Sequence, residues 1–257
     1  VCKMERNCVA IVGTGGTGGN LVPLVSRMLS ATYLDTTLLL IDGDRVEDKN
    51  LKRQPFTKKD VGMKKSRALV MKVGATYDCK VRYSDNFILS VSDLDVLLDE
   101  YVCPIVVGCV DNHKARKVLH EWFDKTGDCV YIDVANEDTW GDCFVSFKIL
   151  DKKLFKTRGD MFPEVLLESN RSVIEMSCEE TANESPQQLK TNSMAANVVF
   201  NALDSIMVRD RLPFYYSSFN TEPLIVDSKY VEGYNEIAIS SIAGTIREVS
   251  KSAASVA

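Results

Sequence analysis

Residues 7–20, NCVAIVGTGGTGGN, decide the fold. The small and β-branched residues of Asn7–Val12 suit a buried strand, and the glycines after them end it. Leu21, Leu24, Val25, Met28 and Leu29 then recur at helical spacing over Asn20–Ala31. Strand, glycine loop and helix in that order open a βαβ unit. Gly13, Gly15 and Gly18 satisfy G-x-G-x-x-G, and Gly16 adds another glycine inside it. Between a strand and a helix, such a loop turns bare N–H groups and the positive end of a helix dipole toward phosphate oxygens. The competing reading is that these glycines only let the helix pack closely on the strand.

Downstream, Thr37–Ile41 reads as a second buried strand ending in Asp42-Gly43-Asp44. Asp42 lies about two dozen residues beyond Gly18, where a carboxylate can accept hydrogen bonds from ribose hydroxyls; alternatively Asp42 and Asp44 make a turn. A polar connection holding Asn50-Leu51-Lys52-Arg53-Gln54 leads to a helix around Gly62–Thr76 and a short strand, Lys80–Tyr83. A helix at Asp93–Glu100, a strand at Ile105–Cys109, a helix at Asn112–Thr126 and a strand at Cys129–Val134 follow. Alternation of this kind predicts an α/β, Rossmann-like doubly wound, mainly parallel sheet. After Trp140 the pattern changes: Cys143–Ile149 alternates like an antiparallel strand, and Lys190–Val208 reads as one long amphipathic helix. Tyr215–Ser218, Leu224–Val226 and Glu236–Ile239 are weaker antiparallel C-terminal strands. The expectation is one domain over 1–257, with a first half to about residue 140 and a second from 141 to 249. Asp151–Pro186 is expected to be a mobile crossover loop and Ser250–Ala257 a frayed tail.

Composition narrows the function classes. The chain has 257 residues, 45% hydrophobic and 26% charged, enough apolar material for a sizeable core. Lys plus Arg total 31 against 36 Asp plus Glu, a net charge of −5 without a long basic block, which argues against duplex nucleic acid. Apolar runs such as Leu38–Ile41 fall far short of the roughly 20 residues of a membrane span. The stretch Val1–Arg6 lacks the plan of a signal peptide. None of the eight cysteines forms a CxxC pair, so a zinc ribbon is not supported and a reducing, cytoplasmic compartment is expected.

A nucleoside triphosphate carries more charge than NAD and calls for Lys, Arg and Mg²⁺ around its tail. Asn50, Arg53, Gln54 and Lys65 follow the second strand, and Asp111-Asn112 end the strand that starts at Ile105, at the carboxyl edge where such sheets bind ligands. This set favours ATP over NAD. Each member also has a plainer reading. Arg53 and Lys65 suit solvated charges, and Asp111 suits a cap for the next helix. His113 and His120, the only histidines, suit surface or packing positions.

Four blocks, GTGGTGG (13–19), IDGDRVEDKNLKRQPF (41–56), DVGMKK (60–65) and GCVDNHKAR (108–116), resemble in order and spacing the nucleotide motifs of the ThiF/MoeB/ubiquitin-activating superfamily. Tyr131–Trp140 and Ser177–Leu203 resemble, less firmly, the ThiF-like proteins of PRTRC-type bacterial operons. The resemblance implies an adenylyltransferase that activates the C-terminal glycine carboxylate of a ubiquitin-like or sulfur-carrier protein and releases pyrophosphate. It implies that Gly13, Gly15, Gly16 and Gly18 line the phosphates and that Asp42 takes the ribose, with Asp44 as a marginal substitute. Asn50 and Arg53 would hold the β- and γ-phosphates, with Gln54 of the same block among the nucleotide-binding residues, Lys65 would bridge phosphate oxygens, Asp111 would organise Mg²⁺, and Asn112 and Arg116 would support its loop.

Relatives are usually dimers, so a homodimer is expected, and a conjugating-enzyme-like partner is a further expectation. Some relatives pass the acceptor to a cysteine in the crossover; Cys178 occupies that region, although Glu179 and Glu180 beside it should raise its thiol pKa. The expected departures from the resemblance are at the N-terminus, where no arginine-bearing helix is expected before the first strand and Lys3 or Arg6 would be a weak substitute, and in the absence of paired zinc ligands. The rival readings are a same-fold enzyme that adenylates a tRNA base or a peptide carboxylate, a non-catalytic nucleotide-binding subunit, and an NAD-dependent oxidoreductase.

Overall fold

The structure is a computed structural model, and it describes residues 7–167, 188–233, 238 and 239. Three βα steps build its first part: β1 (Asn7–Val12), α1 (Gly16–Thr32), β2 (Thr36–Ile41), α2 (Lys65–Gly74), β3 (Lys80–Ser84) and α3 (Val91–Leu98). A further step adds β4 (Ile105–Gly108), α4 (His113–Lys125) and β5 (Cys129–Asn136). The strand order is β3-β2-β1-β4-β5, all parallel, so the chain reverses direction across the sheet between β1 and β4.

Beyond β5 the sheet turns antiparallel. The strands β6 (Trp140–Ile149), β8 (Tyr216–Thr221) and β9 (Leu224–Lys229) extend it in that order, and a short β7 (Lys152–Leu154) pairs with β6. Between β7 and β8 come the one-turn helix α5 (Arg158–Met161), a 3-10 turn at Pro163–Leu166 and the long α6 (Leu189–Met207). The Rossmann-like sheet with antiparallel C-terminal strands is as the sequence predicts.

Strict alternation explains the two layers of core. Val9 and Ile11 of β1 and Leu38 and Leu40 of β2 face α1, α2 and α6 with Val25, Leu69, Ala195 and Val199. Cys8, Ala10 and Val12 and Leu39 and Ile41 face the opposite side, toward Leu94, Leu119, Trp122 and Phe123 of α3 and α4. Strands buried on both faces read as unbroken apolar runs, which is why the sequence signal was strong there.

One segment departs from the sequence reading. The start of the expected irregular crossover, residues 151–167, carries β7, α5 and a 3-10 turn instead. The reason is polar anchoring: Thr157 Oγ1 accepts from the Asp160 amide at 3.2 Å to cap α5, and Arg158 is buried against acidic strand residues. The expected strand Glu236–Ile239 lies partly outside the described residues; within them Ala238 bridges Arg211. Cys178, Lys3, Arg6 and the tail 250–257 lie outside them altogether.

Candidate nucleotide site

The glycine turn sits at the C-terminal end of β1, beside the reversal of strand order, the position at which open α/β sheets bind ligands. Its glycines have different jobs. Gly13 has φ +87°, and a Cβ there would stand 2.5 Å from the Cys109 carbonyl oxygen; a Cβ on Gly18 would stand 1.9 Å from the Gly13 carbonyl oxygen. Both are required for the turn to close against β4. Gly16 admits α6, since its Cβ would meet the Asn192 side chain at 2.3 Å. Gly15 alone among them would gain a Cβ at ordinary contact distance, 3.5 Å from Gln54 Nε2, and it is partly exposed. The first turn of α1 carries no acidic residue, so its N–H dipoles are free of a competing carboxylate.

Asp42 directly follows β2 and is buried. Its Oδ2 accepts from the Thr14 amide at 2.7 Å and the Thr14 hydroxyl at 2.9 Å, and its Oδ1 accepts from the Asp44 amide at 2.8 Å. Burial pushes its carboxyl above the ordinary value; Lys65 opposes the rise and Asp44 adds to it. Thr14, which sequence reasoning passed over, is therefore the residue that ties the glycine turn to the acidic end of β2. Lys65 begins α2, and its Nζ lies 2.8 Å from Asp44 Oδ2 with the side chain 7% exposed. That pair forms because the Asp44 carbonyl accepts from the Lys65 amide at 3.0 Å and Val46 pairs with Met63 across the same junction.

The strap over the glycine turn is a 3-10 turn, Asp48–Lys52, followed by Arg53–Pro55. Asn50 is buried and serves the strap itself: its Oδ1 accepts from the Glu47 amide at 2.9 Å, and its carbonyl accepts from the Arg53 and Gln54 amides. Pro55 packs where Gly19 lacks a side chain. Lys72 then clamps the strap from α2, donating to the Pro55 carbonyl at 2.9 Å and to Asp60 Oδ2 at 2.6 Å. Gln54 Oε1 is buried and unpaired among the described residues. Arg53 is half-buried, and among the described residues no side-chain hydrogen bond or ion pair holds its guanidinium.

After β4, Cys109 and Val110 pack on Gly13, and Asp111 follows, exposed and without a hydrogen-bond partner among the described residues. Asn112 caps α4, accepting from the Ala115 amide at 2.8 Å. Arg116 reaches back from α4 to the Val110 carbonyl at 2.8 Å and pairs with Asp133 of β5. His113 is exposed, while His120 packs against the Thr157 hydroxyl at 3.0 Å.

Asp133, Asp142, Arg158 and Lys72 escaped the sequence reading. The signal for the first two was present, as carboxylates inside apolar strand runs. Among the described residues, burial pushes the thiols of Cys8 and Cys109 up to about 12 and raises those of Cys79, Cys129 and Cys143, so none of these is a ready nucleophile. No helix among the described residues is long and apolar enough to cross a membrane.

A parallel sheet with a glycine turn opening a helix at the strand-order reversal defines an α/β protein of doubly wound, Rossmann-like build. The ThiF family matches residues 2–157, and the chain belongs to that family. Ubiquitin-like modifier-activating enzyme 5 of Aedes aegypti is 28% identical over 128 residues, covering 46% of this chain and 31% of that protein. Its namesake from Oryza sativa subsp. japonica is 29% identical over 147 residues, covering 53% and 34%. The chain thus spans about a third of the length of the curated relatives it matches. E. coli MccB crystallised with MccA-N7isoASN superposes with a TM-score of 0.63 at 16% identity, over 86% of this chain and 64% of that one. PaaA superposes at 0.61 and 19% identity, over 89% and 64%. At such identities these structures establish the fold alone.

Proposed function

We propose that the protein is an ATP-dependent adenylyltransferase that activates a C-terminal glycine carboxylate on a ubiquitin-like or sulfur-carrier protein, acting as a homodimer. The observation that carries this reading is the strap: Gln54 lies 3.5 Å from where a Gly15 side chain would begin, and its neighbour Arg53 brings a guanidinium with no acidic partner among the described residues. An NAD site has no use for that cation, and a triphosphate tail does. E. coli MccB has been crystallised with ATP and with MccA, which supports a nucleotide and a separate acceptor on this fold.

The acceptor carboxylate is ionised at neutral pH, so no general base is required. One of its oxygens bonds to the α-phosphorus as the bond to the pyrophosphate oxygen breaks, giving an acyl adenylate and pyrophosphate. The chain's part is to gather anions that repel one another. The open face at Gly15 and the start of α1 receive phosphate oxygens, Asp42 accepts from the ribose, and Arg53 and Gln54 hold the β- and γ-phosphates. Lys65 shares its charge between Asp44 and a phosphate oxygen. The exposed, unpaired Asp111 fits a cation-binding role; Mg²⁺ held there would neutralise phosphate charge.

Exchange of labelled pyrophosphate into ATP, with Mg²⁺ and a Gly-terminated carrier present, tests the reading. Arg53→Ala and Lys65→Ala should each slow exchange by about 10²–10³-fold, the usual loss for one oxyanion-stabilising donor. Wild-type rates in both variants would remove these residues from the site, and absence of exchange in the wild-type protein with every carrier tried would remove the activity.

A further inference from the structure

A second ionic assembly lies behind the site, in the sheet. Arg116 of α4 pairs with Asp133 Oδ1, and Asp133 Oδ2 stands 3.3 Å from Arg158 Nε. Arg158 donates to Asp142 Oδ1 at 2.6 Å, and its guanidinium lies over the Phe144 ring at 4.9 Å. All four charged residues are buried, at 7% exposure or less. Two cations alternate with two anions along this ladder, so it is neutral. Both cations are also tied to main chain: Arg116 holds the Val110 carbonyl at 2.8 Å, one residue before Asp111, and Arg158 lies 3.4 Å from the Asp133 and Asp142 carbonyls.

Buried ion ladders are poor stabilisers, since apolar residues of equal volume commonly hold a core as well or better. What a guanidinium fork supplies is direction, because its donors are coplanar and rigid. Here the forks join two pieces of chain outside the sheet, the loop 109–112 after β4 and the one-turn helix α5, whose cap Thr157 packs against His120 of α4. We infer that Arg158 is a positioning residue, which through Asp133 and Arg116 holds the loop bearing Asp111 in place from the root of the crossover. Its benefit to catalysis rests on the adenylation reading; its effect on the loop does not.

The paired replacement Arg158→Met with Asp142→Leu removes one cation and one anion and leaves Arg116–Asp133 balanced. We expect its melting temperature to stay within a few degrees of wild type. Amide exchange of the Cys109–His113 peptide, measured on the full chain without ligands, should quicken by about 2- to 30-fold, the range of coupling along packed networks. The Mg²⁺ concentration at half-maximal ATP–pyrophosphate exchange should rise by a similar factor. Arg158→Lys, which keeps the charge without the fork, should fall between the two and decides the matter if the paired variant does not fold. Wild-type amide exchange at Cys109–His113 in the paired variant, or in Arg158→Lys where the pair does not fold, would overturn the inference. Loss of pyrophosphate exchange in the wild-type protein would sink the adenylation reading while leaving the amide-exchange test intact.

Discussion

The glycines of one turn show how little a motif says about individual duties. The sequence marks Gly13, Gly15, Gly16 and Gly18 alike, whereas the structure gives the first and last to turn closure and Gly16 to the approach of α6. Gly15→Ala should therefore leave the melting temperature nearly unchanged yet weaken ATP binding at least tenfold, because the new methyl stands at the partly open face of the turn. Gly18→Ala, with backbone 1.9 Å from the new carbon, should instead lower stability, by roughly 1–3 kcal/mol or more. Equal ATP affinities for wild type and Gly15→Ala would show that phosphate does not approach this face. Asp42 supplies a pH signature. Its folded pKa is raised, so the folded state holds the proton more readily, and the stability this contributes is full below the ordinary carboxylate value and lost as pH rises through the raised one. A ribose hydroxyl donates best to the ionised form. Nucleotide affinity should then tighten as pH climbs through that raised value, above the ordinary Asp range, and Asp42→Asn should flatten the profile; parallel profiles would count against ribose contact.

At the scale of elements, α2 adds a clamp to the strap's own hydrogen bonds. Asp60 Oδ2 accepts from the Thr57 amide at 2.6 Å, the Thr57 hydroxyl at 2.8 Å and Lys72 at 2.6 Å. Burial works to raise the Asp60 carboxyl, but these donors outweigh it and hold the pKa below the ordinary value. A depressed pKa contributes stability that is present above the ordinary carboxylate value and lost as pH falls through the lowered one. Asp60→Asn should cost about 1 kcal/mol at pH 7, allowing for the exposure of Lys72, and the gap should narrow on acidification below about pH 4. A gap that widens with acid would refute the clamp. The strands β1, β2, β4 and β5 were legible because double-sided burial writes uninterrupted apolar runs. The strap residues Asn50, Arg53 and Gln54 were legible only through their block, and Lys72, one polar residue on a helix, carried no signal until the fold placed it beside Asp60. The segment 151–167 misled for a related reason: Arg158 looks like a surface charge until Asp133 and Asp142 of two adjacent strands are known to face it.

For the whole molecule, the open question the fold frames is where an activated acceptor would go next. A thiol must ionise to attack an acyl adenylate, forming a thioester as AMP leaves with the phosphate–acyl bond electrons. Cys8, Cys109, Cys129 and Cys143 are held protonated by burial within or beside the sheet, far from the conditions that favour thiolate. Cys178 follows α5 in the chain and precedes α6. The family resemblance assigns that step to Cys178, and the prediction is that transfer runs through it. Incubating the chain with ATP, Mg²⁺ and a Gly-terminated carrier should yield an adduct that dithiothreitol releases, and Cys178→Ser should abolish that adduct while pyrophosphate exchange continues at the wild-type rate. An adduct that persists in Cys178→Ser would move the thioester elsewhere. An exchange rate that collapses with it would mean that Cys178 serves adenylation rather than the transfer that follows.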